Sequence, residues 1–168
     1  MANVVTYQGN VFLRMKALQL IDKRDVALDD ATLLSPKGDT NGPLVEGEFL
    51  VLNTDGTWER CTNETGQTYS NQVPAVLVLG GAGRTDTMTT KKATTYQLKP
   101  GDIFETRVCD TTNVAPGTKL ALGVVSVTDP TGASKHKSGL LKAADASAVV
   151  RAVCEAVLDG GFLRCRAV

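Results

Sequence analysis

Leu98-Lys-Pro-Gly101-Asp-Ile-Phe-Glu-Thr106 places an apolar residue, a Pro-Gly turn and a polar residue directly ahead of a run of strand-forming side chains. The same phrase recurs as Leu44-Val-Glu-Gly47-Glu-Phe-Leu-Val-Leu52 and as Val114-Ala-Pro-Gly117-Thr-Lys-Leu-Ala-Leu122. Each phrase has a turn pair ending in glycine, Glu46-Gly47 in the first and Pro-Gly in the other two; glycine tolerates the left-handed position and proline, where present, presets the one before it, so each is a tight turn that launches a β-strand. A chain that repeats this device is built from strands and turns.

Working outward, the segment from Leu44 onward reads as β throughout. Residues 49–53 form a strand, Asp55-Gly56 is a hairpin turn, and residues 58–61 return antiparallel. Residues 73–79 are nearly continuous in apolar character, as in a strand covered on both faces. The Thr-rich run 85–95 reads as an exposed hairpin or a loop, and residues 103–109 as a strand. Residues 119–122 and 124–128 read as a pair of strands broken at Gly123, and Asp129-Pro-Thr-Gly-Ala133 as a turn. Residues 148–158 fit both helical and strand periods; strand is favoured because Asp159-Gly160-Gly161 is a hairpin signal ahead of a return strand over 162–168.

Residues 1–43 differ from the rest, with charge in Asp22-Lys-Arg-Asp25 and turn formers from Ser35 to Pro43. Over 11–21 the pattern is ambiguous, since Phe12, Met15 and Leu18 suit a helix and Leu18 with Leu20 a strand. The expected organisation is therefore an extended N-terminal arm, residues 1–43, on a compact antiparallel β-barrel or sandwich, residues 44–168. Phe12, Arg14, Met15, Leu18, Leu20 and Arg24 are the candidate partner-binding residues of that arm.

The composition narrows function by exclusion. Lys+Arg and Asp+Glu both number 18, so the long-range field that draws a protein to nucleic acid or to an anionic membrane is missing. Basic residues of the leader are interleaved with acids, which suits a solvated or partner-pairing arm better than phosphate binding. The amino terminus lacks the basic and apolar regions of a secretion signal, so synthesis in a cytoplasm is expected. Cys61, Cys109, Cys154 and Cys165 are widely spaced and accompanied by one histidine, so neither a metal site nor a thiol nucleophile is expected, and the thiols read as small buried apolar groups. His136, between Lys135 and Lys137 in a turn-rich segment, reads as solvated.

Gly80-Gly-Ala-Gly-Arg84 follows a strand as a phosphate loop would, yet Val78 stands where a P-loop needs glycine and Arg84 where it needs lysine. It reads as a turn. The carboxylate pairs Glu46/Glu48 and Asp102/Glu105 fall within the turn-strand phrases, where an acid after glycine serves turn geometry or a solvated face. No catalytic group, cofactor or metal is therefore expected.

The second and third phrases, together with Val150-Arg-Ala-Val-Cys-Glu-Ala-Val-Leu-Asp-Gly-Gly-Phe-Leu-Arg-Cys-Arg-Ala-Val168, resemble the capsid decoration, or cement, proteins of tailed bacteriophages. The last stretch is similar to the family's closing hairpin, and the resemblance spans residues 44–168, leaving the leader and the Thr-rich run outside it. The resemblance implies a non-enzymatic virion protein, made in the bacterial cytoplasm, that binds the outer capsid surface and bridges copies of the major capsid protein as a homotrimer or dimer. Another virion component of the tail, head fibre or baseplate is the alternative within that class. A small ligand-binding β-barrel or enzyme is the alternative outside it.

Overall fold

A computed structural model describes residues 13–17, 23–27, 46–52, 55–60, 75–80, 92–128 and 134–168. The protein is mainly β, as expected, with two antiparallel sheets, one of them curled into a half-barrel. The strands are β1 (Leu13–Ala17), β2 (Lys23–Ala27), β3 (Phe49–Leu52), β4 (Trp58–Arg60), β5 (Val76–Gly80), β6 (Lys92–Tyr96), β7 (Ile103–Thr106), β8 (Lys119–Thr128), β9 (Ser134–Ala143), β10 (Val150–Leu158) and β11 (Phe162–Ala167). The large sheet runs β1-β7-β11-β10-β8-β9 and the small one β2-β6-β5-β3-β4.

All three turn-strand phrases fold the same way. Gly47, Gly101 and Gly117 have φ of 88°, 93° and 91°, in the left-handed region that favours glycine. Each glycine N–H donates to a carbonyl of the facing strand, to Val78, Ala167 and Cys154 at 2.9, 2.9 and 2.8 Å. The N–H of that same facing residue then donates to the carbonyl after the glycine, at Glu48, Asp102 and Thr118, each at 2.9 Å. Two residues thus oppose one, the geometry of a β-bulge opened by a left-handed glycine. In the two Pro-Gly cases the turn itself closes through Asp102 N–H to Lys99 O and Thr118 N–H to Ala115 O, both 3.0 Å, as in a type II turn.

The core lies between the sheets. Phe49, Val51, Ala75 and Leu77 of the small-sheet side meet Phe104, Leu120, Leu122, Leu141, Ala152, Leu163 and the thiols of the large-sheet side. Phe49 and Phe104 pack edge to face, with centroids 6.5 Å apart, a favoured aromatic geometry. The alternate residues Val26, Leu50, Trp58, Val76, Val78 and Ala93 form a second buried cluster on the opposite face of the small sheet. β5 is therefore covered on both faces, as its continuous apolar run requires.

Several readings are corrected. The segment 119–128 is one strand, with a register shift between Gly123 and Val125. A Cβ on Gly123 would sit 2.9 Å from Lys142 Cε, so this glycine admits a neighbouring side chain instead of ending the strand. The segment around His136, read as turn-rich, belongs to strand β9, with His136 paired to Ser126. The Thr-rich run ends in β6, an interior strand of the small sheet where Ala93 and Thr95 are buried. The strand expected over 103–109 stops at Thr106, and Cys109 makes only an isolated bridge to Leu141.

Other expectations hold. β10 is a strand, and Gly160 and Gly161, at φ of 73° and 77°, turn it into β11. The Asp55-Gly56 turn joins β3 to β4 with Leu52 opposite Trp58. The residues between Val11 and Ile21 that are described, 13–17, are extended. Cys61, Gly81 to Arg84 and the turn at 129–133 lie outside the described residues.

Candidate functional site

Phe12, Leu18 and Leu20 lie outside the described residues; Arg14 and Met15 are on β1, and Arg24 is on β2 opposite Thr95. β1 and β2 form one edge of each sheet, β1 pairing β7 and β2 pairing β6. The leader segments described are thus held by backbone ladders, in separate sheets.

Arg14 leads to a cluster of charged side chains on the large sheet. It stands opposite Glu105 on β7, which in turn stands opposite Arg164 on β11. Strand alternation sends Phe104 into the core and its neighbour Glu105 to the outer face. Arg164 donates to Glu105 Oε1 from both Nε and Nη2, at 3.1 and 2.8 Å, while Arg14 Nη1 lies 3.5 Å from Oε2. The carboxylate is covered, its side chain only 2% exposed, and the arginines above it are 49% and 42% exposed. A carboxylate so far out of water needs compensating charge, and this one has two cations.

Two further contacts extend the cluster. The guanidiniums of Arg14 and Arg107 lie over the buried Phe162 ring, 4.1 and 4.6 Å from its centroid, in cation–π geometry. Arg107 Nε is buried and has no hydrogen-bond partner among the described residues. On the same strand as Arg164, Arg166 binds Glu155 of β10 through Nε at 2.6 Å and Nη2 at 2.5 Å. Sequence reasoning picked out Arg14 from this cluster and missed its partners, because Glu105, Arg107 and Arg164 are distant along the chain. The cross-strand register is what brings them together.

The remaining candidate chemistry resolves into structure. Asp102, 2% exposed, accepts from the Lys99 N–H at 2.8 Å and from the Tyr96 hydroxyl at 2.6 Å. Thr118 takes the equivalent place in its own turn, its hydroxyl accepting from the Ala115 N–H at 3.0 Å. In the two Pro-Gly phrases the polar residue after glycine therefore closes its turn, as the sequence suggested, whereas Glu48 and Glu105 are buried rather than solvated. Cys109, Cys154 and Cys165 are free and buried, as expected. Burial pushes the Cys109 thiol up to about 12 and raises those of Cys154 and Cys165 as well, away from the thiolate form a nucleophile needs.

Among the described residues, no group of three or more His, Cys, Asp or Glu side chains could hold a metal ion, and no helix is long and apolar enough to cross a membrane. Comparison with known protein families, curated proteins and solved structures finds no match.

Proposed function

We propose that the chain is a structural protein of a tailed-phage virion, bound to the outer capsid surface and bridging neighbouring copies of the major capsid protein. The observation that carries this reading is where the residues behind the resemblance fall. Residues 98–104, 114–120 and 150–168 build β7, the start of β8, β10 and β11, which are consecutive neighbours in the large sheet. The bulges at Gly101 and Gly117 tie them to one another, through Ala167 and Cys154. The three segments therefore form one continuous module, as an inherited unit does.

The physical properties suit the role. A hydrogen-bonded β body whose two sheets share a core loses little conformational entropy on docking, and many copies each adding a modest interface stabilise a shell by mass action. A homotrimer or dimer placed between capsomers is the assembly that the resemblance implies. The test is co-sedimentation of the purified protein with expanded, DNA-free heads assembled from the major capsid protein of the same genome. Saturable binding at a fixed ratio to that protein is expected, and its absence at micromolar concentration overturns the proposal.

A further inference from the structure

We infer that Arg164 and Arg166, flanked by Arg14 on β1, form a docking row for an extended acidic protein segment with carboxylates at every second position. The inference rests on the proposed docking role and names the chemistry of the partner surface. Its basis is the inversion of charge with depth on the outer face of the large sheet. Glu105 and Glu155 are 2% and 28% exposed, whereas Arg14, Arg164 and Arg166 are 49%, 42% and 50% exposed. The cluster sets four arginines against two glutamates, and it offers water its cations while it keeps its carboxylates beneath.

The way each arginine is held adds chemistry to that sign. Arg164 and Arg166 both grip their own carboxylate side-on, through Nε and Nη2. A guanidinium carries five donors in a rigid fork, so this grip leaves the Nη1 end of each available to a second carboxylate. Because both forks are already fixed, a partner's carboxylate meets ordered donors and little side-chain entropy is lost on docking. Strand geometry spaces Arg164 and Arg166 about 7 Å apart along β11, and sets Arg14 about 10 Å away across two strands. Acidic side chains two residues apart on an extended segment repeat at the same distance of about 7 Å.

Nucleic acid is the competing polyanion. It is disfavoured because each cation of the row is already part-neutralised by a carboxylate and the chain as a whole carries no net charge, so little counterion release is gained from a phosphate backbone.

The experiment is fluorescence anisotropy of the full chain against a labelled peptide with glutamate at alternate positions, a peptide of equal charge with its glutamates in one block, and a single-stranded oligonucleotide of equal charge. The wild-type chain is expected to bind the alternating peptide most tightly, and Arg166→Gln to weaken that binding at least tenfold. Arg164→Lys, which keeps the charge over Glu105 but loses the fork, is expected to weaken it severalfold with the fold intact by circular dichroism. Equal binding of both peptides, or unchanged affinity in Arg166→Gln, overturns the inference; tighter binding of the oligonucleotide replaces it with a nucleic-acid surface. Head binding by Arg166→Gln separates the two levels: undiminished co-sedimentation removes the row from the interface while the docking role stands, whereas no binding even by the wild type removes the docking role alone, the peptide result standing independently.

Discussion

At the residue scale, the clearest predictions concern glycine and cysteine. Gly101 and Gly117 have φ above 90° and open space where a Cβ would go, so alanine meets no clash there. Its cost is the left-handed backbone alone, about 1–2 kcal/mol for each substitution. Denaturant titration of Gly101→Ala and Gly117→Ala is expected to lower the midpoint with an unchanged slope; a wild-type midpoint would mean that the bulge does not need glycine. The thiols predict a pH dependence. Their folded values are raised above the unfolded value near 9 by burial, so their stabilising contribution is complete below that value. It declines as pH rises toward the folded value of about 12 at Cys109, because only the unfolded chain ionises in that window. Stability is therefore expected to fall between pH 9 and 11, and Cys109→Ala to flatten that fall relative to its own stability at pH 8.

At the element scale, the issue is how β1 is held. Arg14 and Arg164 share Glu105 across three adjacent strands, and removing different members has unequal effects. Glu105→Gln frees two half-exposed arginines to water, for a loss of about 1 kcal/mol. Arg164→Ala removes the side-on partner of a buried carboxylate and leaves Arg14 at 3.5 Å, for a loss of about 3 kcal/mol, since an under-compensated buried charge is the costlier defect. A thermal or urea series that ranks the two the other way would show that Glu105 is not effectively buried. β1 and β2 are also edge strands, so deleting residues 1–30 is expected to preserve a cooperative transition while lowering its midpoint and exposing β6 and β7 to self-association. Loss of cooperativity would make the leader integral to the fold.

The elements also mark how far the sequence could be read. The three phrases and the Gly-Gly hairpin were legible because turn chemistry is local and glycine's left-handed backbone has few substitutes. β9 was not, because Ser134-Lys-His-Lys-Ser-Gly carries turn-forming and charged residues and becomes a strand only by pairing with β8. The strand β8 looked broken at Gly123 because the close approach of Lys142 is not visible in sequence. The arginine row was invisible for the same reason: its members come from β1 and β11, and only the register through β7 joins them.

At the scale of the whole molecule, two sheets share a core that includes Phe49, Phe104, Leu120 and Leu163, and the buried carboxylates Asp102 and Glu105 are tied up in hydrogen bonds and ion pairs. Each fully buried Leu or Phe contributes about 1.5–3 kcal/mol, which suits a body that holds its shape while its outer surface engages a partner. In the proposed role that surface joins capsid subunits, and the benefit is collective: a ligand that binds assembled heads and not free subunits raises the temperature at which heads come apart. The most direct measurement is therefore the melting of expanded heads with and without saturating protein. A rise of several degrees, reduced in Arg166→Gln, is the result expected; a melting temperature unchanged by the bound wild-type protein would contradict the stabilising role.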